Sequence, residues 1–118
     1  MKRLFTILII ILSSLSCSKK ENSLVGTKWE TDGFGPLMET LFGYKYHVYE
    51  FIDDKSVDSY WLDKNGKIVS YDTQCEYTIA EPYVTIKHEE DDVRKLEMTN
   101  KMTMVVTTNT SIKYFIQK

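Results

Sequence analysis

The run Ser56-Val57-Asp58-Ser59-Tyr60-Trp61-Leu62-Asp63-Lys64-Asn65-Gly66-Lys67-Ile68-Val69-Ser70-Tyr71 decides the fold. Two stretches rich in β-branched and aromatic residues flank Asp63-Lys64-Asn65-Gly66, and Asn-Gly supplies the positive φ that a tight hairpin requires. The spacing predicts antiparallel pairing of strands 56–62 and 67–71. Val57 and Trp61 fall in one phase of the first strand, the pattern of a ribbon with one buried face.

Outward from this hairpin the same pattern repeats. Short alternating segments at 27–31, 44–52, 75–80, 83–88, 93–99, 101–107 and 112–117 are separated by turn residues every 8–12 positions, which points to a meandering sandwich or barrel. With the hairpin these make nine runs, and merging of adjacent runs gives about eight strands. Their in-phase apolar sets are Tyr49/Phe51, Val57/Trp61, Tyr77/Ile79, Val84/Ile86, Leu96/Met98, Met102/Met104/Val106 and Ile112/Tyr114/Ile116. These are the expected interior. One helical piece stands between strands one and two, Pro36-Leu37-Met38-Glu39-Thr40-Leu41-Phe42, with Pro suited to a first turn and Gly43 to a stop. So short a helix is not stable alone, and it is expected to lay its apolar side on the β-domain, over one mouth if the sheet closes. The expected class is all-β, an antiparallel up-and-down barrel with this one short helix.

The chain opens differently. Met1-Lys2-Arg3 is basic, residues 4–12 are apolar apart from Thr6, and Ser13, Ser14 and Ser16 follow, which is the three-part layout of a secretory signal. The apolar run is well short of the ~20 residues that span a bilayer. The string Leu12-Ser13-Ser14-Leu15-Ser16-Cys17 resembles the lipobox of bacterial lipoproteins, which implies cleavage after residue 16 and acylation of Cys17. Two or three acyl chains hold a protein stably at a membrane, where one is marginal. The expected organisation is a signal at 1–16, the lipidated Cys17 with a polar tether at 17–24, and a barrel domain at 25–118. By the same resemblance, Ser18 directly after the cysteine implies an outer-membrane address in the cell envelope.

Composition narrows the functions. A chain of 118 residues holds one domain, and 8 Tyr with 5 Phe favour strands. Its net charge of −2 comes from 15 basic and 17 acidic residues and becomes more negative once Lys2 and Arg3 leave with the signal. Basic residues occur as isolated pairs beside acids, so a nucleic-acid partner is excluded on charge. With Cys17 acylated, Cys75 is left without a second cysteine for an intramolecular disulfide and reads as a small buried hydrophobe.

Leu24-Val25-Gly26-Thr27-Lys28-Trp29 resembles the Gly-x-Trp opening of lipocalins and of the small lipocalin-like lipoproteins of Bacteroidetes, and Tyr49-Glu50-Phe51, Tyr77-Thr78-Ile79 and Tyr114-Phe115-Ile116 sit where that family places barrel strands. The resemblance covers residues 24–118 and implies a lipocalin-like barrel that binds a small molecule. On physical grounds alone, Trp29 plugs the closed end of a barrel while Gly26 lets the chain turn in beneath it.

Few residues suggest chemistry. His47 and His88 lie in phase with apolar neighbours and read as hydrogen-bonded core or rim side chains, since two histidines without a placed third ligand make no zinc site. Glu89-Glu90-Asp91-Asp92 reads as a solvated hairpin tip and lacks the alternating ligands of a calcium loop. No nucleophile elbow or phosphate-cradling loop occurs, so neither catalytic residues nor cofactors are assigned. The leading expectation is a membrane-anchored, non-enzymatic module in which Tyr49, Trp61, Tyr77, Met104 and Tyr114 surround a small apolar ligand. The alternative is a solid-cored barrel that contacts another envelope protein, and the third is a periplasmic enzyme of unknown reaction.

Overall fold

A computed structural model describes residues 23–117. The signal, Cys17 and most of the tether lie outside the described residues. Eight strands run in chain order: β1 (Lys28–Thr31), β2 (Tyr46–Phe51), β3 (Ser56–Leu62), β4 (Ile68–Ala80), β5 (Tyr83–Glu89), β6 (Asp92–Asn100), β7 (Thr103–Val106) and β8 (Lys113–Ile116). Each pairs antiparallel with the next, and β8 returns to β1 through Trp29↔Ile116 and Glu30↔Phe115. The sheet is therefore a closed up-and-down barrel, with the helix α1 (Pro36–Phe42) between β1 and β2 as expected.

The hairpin that decides the fold forms as predicted. Leu62 faces Ile68 and Trp61 faces Ser70. Gly66 has φ 83°, and the Asp63 carboxylate accepts the backbone N–H groups of Asn65 and Lys67, both at 2.9 Å. The runs 67–71 and 75–80 merge into the single 13-residue β4. Two register shifts opposite β3 accommodate the merger, and the first leaves Asp72 as an extra residue between the pairs Ser59↔Thr73 and Tyr60↔Tyr71. A bulge of this kind re-aims a side chain. Here it brings the partly exposed Asp72 carboxylate to 3.1 Å from the buried Ser59 hydroxyl.

The core joins Leu24, Trp29, Tyr49, Phe51, Val57, Cys75, Tyr77, Val84, Ile86, Leu96, Met104, Ile112 and Tyr114. Most of the expected interior is found there or packed against it. Met102 is a correction: β7 begins at Thr103, so Met102 sits in the turn, 39% exposed, where its carbonyl accepts the Ile116 N–H. Val48 and Tyr60 are buried on the outward face, which simple alternation does not foresee. Tyr60 leans along the sheet to donate to the Glu50 carboxylate at 2.8 Å and meets the Tyr71 ring at 5.2 Å, covering its neighbours.

One barrel end is closed by the chain's own entry. Leu24 and Trp29 are buried there, Trp29 Nε1–H donates to Thr27 Oγ1 at 2.9 Å, and the Thr27 hydroxyl donates to the Leu24 carbonyl. Gly26, at φ 84°, turns the chain and donates to the Phe51 carbonyl. Burial of a large apolar side chain contributes roughly 1.5–3 kcal/mol, so Leu24 and Trp29 together secure this plug. The opposite end carries α1.

Candidate functional site

The half of the barrel nearest α1 holds a chain of polar groups, buried at His47, Ser59, His88, Tyr49 and Tyr114 and partly exposed at Asp72, Asp92 and Arg94. His47 enters from β2 and is fully buried, with Nδ1 2.7 Å from Tyr114 Oη and Nε2 2.7 Å from Ser59 Oγ. Ser59 Oγ lies 3.1 Å from Asp72 Oδ2, which is also 3.5 Å from His88 Nδ1. His88 Nε2 is 2.8 Å from Tyr49 Oη, which receives Arg94 Nη1–H at 3.4 Å. Arg94 closes the chain with a two-pronged contact to Asp92, each prong 3.2 Å.

Proton placement at His47 follows from the carboxylate beside Ser59, which can only accept. The Asp72 carboxylate accepts a hydrogen bond from the Ser59 hydroxyl, an arrangement satisfied when His47 Nε2–H donates to Ser59 Oγ and His47 Nδ1 accepts from the Tyr114 hydroxyl. A neutral imidazole satisfies this pattern. Burial, then the positive charges of Arg94 and His88, push the His47 pKa down to about 3. Burial also lowers His88, with Arg94 next, and raises the Tyr49 and Tyr114 hydroxyls. The network is thus held uncharged at its centre, while its charges, Asp72, Asp92 and Arg94, lie toward the rim.

This polarity bears on chemistry. An activated serine donates its hydrogen bond to the imidazole, whereas in this arrangement Ser59 donates to Asp72 and is fully buried. Among the described residues no group of three or more His, Cys, Asp or Glu side chains is placed to hold a metal ion.

The five residues expected to surround a ligand all lie inside. Tyr49 and Tyr114 meet at 5.1 Å between ring centroids, and Trp61 joins them through His47, 4.5 Å from Trp61 and 4.8 Å from Tyr49. Tyr77 is apart from them, edge-on to Phe51 at 4.8 Å, with its hydroxyl donating to the Asp53 carbonyl at 2.6 Å. Met104 is fully buried in the core cluster. All three tyrosine hydroxyls are therefore bonded within the protein. Ser59, Asp72 and Arg94 were not foreseen. Ser59 shares the phase of Val57 and Trp61, and Arg94 that of Leu96, so alternation could have found both; nothing in the sequence marks the bulge that brings Asp72 to Ser59.

Above the network the mouth is stacked shut. Phe34 packs edge-on against Trp61 at 5.1 Å and His47 at 5.9 Å, and Tyr44 lies flat on Trp61 at 4.9 Å. Phe42, at the end of α1, stacks on Tyr44 at 5.5 Å. The expectation that α1 buries an apolar side on the barrel is corrected here: no residue of α1 is buried, and Leu37, Leu41 and Phe42 are 66%, 62% and 57% exposed. Phe34, Tyr44 and Trp61 already occupy the mouth, leaving little apolar surface for the helix to cover. At the same end Ile68, Val69 and Tyr71 of β4 are exposed as well.

These features define a closed eight-stranded antiparallel barrel with a satisfied polar core and an apolar rim. Comparison with known proteins finds no matching family, no matching curated protein and no matching solved structure.

Proposed function

We propose that this chain is a lipid-anchored protein of the cell envelope, held at the outer membrane through Cys17, whose solid-cored barrel presents its α1 end to another envelope protein. The observation that carries this reading is a contrast at that end. The interior rings and hydroxyls are committed to one another, while Leu37, Leu41 and Phe42 are left in solvent. Exposed apolar side chains gathered at one end of a domain are the usual mark of a contact surface, and Ile68, Val69 and Tyr71 of β4 are exposed at this end as well. A small apolar ligand among Tyr49, Trp61, Tyr77, Met104 and Tyr114 would have to displace Phe34 or Trp61 first.

Two measurements test the proposal. A photo-crosslinker in place of Leu41, activated in intact cells, is expected to give one discrete protein adduct that disappears when Leu37 and Phe42 are changed to Ser. Native mass spectrometry of protein purified from its own envelope is expected to show the acylated polypeptide alone. A retained small molecule, with no adduct from position 41, would overturn the contact reading in favour of an interior ligand.

A further inference from the structure

The closed end of the barrel also carries exposed apolar side chains. Val25, Ile52 and Met102 are 43%, 45% and 39% exposed, in the entry turn, the β2–β3 turn and the β6–β7 turn. Backbone hydrogen bonds tie these turns around one rim: Gly26 N–H to the Phe51 carbonyl, Gln117 N–H to Lys28, and Ile116 N–H to Met102. Lys28, Lys55 and Lys101 stand exposed on the same rim, where Glu50 lies across from Lys28, Glu97 across from Tyr83, and Asp53, Asp54 and Glu81 are exposed in the turns. Asp53 is occupied in accepting the backbone N–H groups of Lys55 and Ser56. Beside Ser23 open two cavities of about 340 and 360 Å³, both bordered by Met98 and Lys101, the first floored by Leu24, Trp29 and Ile116.

The chain itself says what faces this rim. Only residues 18–22 separate Cys17 from Ser23, and six Cα steps at roughly 3.3–3.6 Å span about 22 Å at most. A lipid on Cys17 therefore keeps the closed end within that distance of the bilayer. We propose that this end is a membrane-contact face, resting on the reading that Cys17 is acylated: Val25, Ile52 and Met102 enter the headgroup layer, and the three lysines extend their ammonium groups to lipid phosphates. Three partly exposed apolar side chains bind a membrane weakly by themselves. The tether makes the contact intramolecular, at an effective concentration on the order of millimolar for a short flexible linker, so a weak contact becomes a persistent one. The α1 end then points away from the lipid.

The test uses the full chain, expressed with labelled palmitate in a host that processes lipoproteins and reconstituted into phosphatidylethanolamine–phosphatidylglycerol vesicles that contain a headgroup-attached nitroxide. A fluorophore is placed on Asp54→Cys, at the closed end, or on Lys64→Cys, at the far hairpin tip. Strong quenching at position 54 and none at position 64 is expected, and equal quenching at both overturns the orientation. In the position-54 background, Val25→Asp, Ile52→Asp and Met102→Asp together should abolish the quenching without reducing palmitate incorporation. Persistence of quenching shows that the tether alone holds the barrel close and overturns the contact face. Failure to incorporate palmitate overturns the anchor and this inference together, whereas acylation without quenching at position 54 overturns this inference alone.

Discussion

His47 is held by both of its ring nitrogens, and each partner is itself buried. Removing one leaves an unsatisfied polar atom in the core, at a cost of about 1–3 kcal/mol. Tyr114→Phe deletes only the hydroxyl that serves Nδ1, so urea unfolding should show a loss of that size with an unchanged slope. Acid acts on the same ring. The unfolded chain protonates His47 near its ordinary pKa of 6.5, the fold only near 3. Its contribution is thus complete above pH 6.5 and is lost progressively as pH falls toward 3. Urea midpoints should begin to fall above the range in which carboxylates titrate, and His47→Gln should be less stable at neutral pH with a shallower acid decline. An acid decline in His47→Gln as steep as in the wild type would remove His47 from the explanation. The inward phase of His47 and His88 was legible from their neighbours Tyr49 and Ile86. The partner Asp72 was not, because its orientation depends on one unpaired residue in β4.

At the scale of elements, α1 separates what a pattern encodes from what it leaves open. Its bounds follow from Pro36 and Gly43, and the pairs Leu37/Leu41 and Met38/Phe42 mark an apolar side. Spacing does not say whether a receiving surface exists, and Phe34, Tyr44 and Trp61 have already filled it. Changing Leu37, Leu41 and Phe42 to Ser should each shift stability by no more than about 0.5 kcal/mol, as for other exposed positions. Trp61→Ala, by contrast, should cost about 3–5 kcal/mol, since it removes the ring against which Phe34, Tyr44 and His47 pack. Chemical denaturation of the two sets side by side checks the distinction. β4 was harder to read than α1. The polar string Tyr71-Asp72-Thr73-Gln74 has the composition of a turn, and only the pairing partners in β3 carry it through as strand.

At the scale of the whole molecule, the meander was legible where a turn has its own chemical cause: Asn65-Gly66 with its positive φ, Pro82 with no N–H to extend a ladder, the acids at 89–92 and the polar run 107–111. The interior alternation was legible for the same reason, as each strand repeats it independently. The outer surface was not, since burial of Val48 and Tyr60 arises from how long side chains lie across neighbouring strands. Closure also shelters Cys75, which is 2% exposed and whose thiol is pushed up to about 12 by burial and then by the charge of Asp72. Iodoacetamide should leave Cys75 unmodified in the native protein and alkylate it fully in urea. Rapid native labelling would show that the barrel opens far more readily than its core packing implies.

The strands of this barrel run from the end where the chain enters to the end where α1 stands. A pull on the entry segment therefore acts along β1, which is held by four register pairs to β2 and two to β8. When the opposing force is applied to another strand, this tension must slide β1 past its neighbours, loading their hydrogen bonds together instead of unzipping them in turn. The β1–β8 seam, with the fewest pairs, is where such a load would first give way.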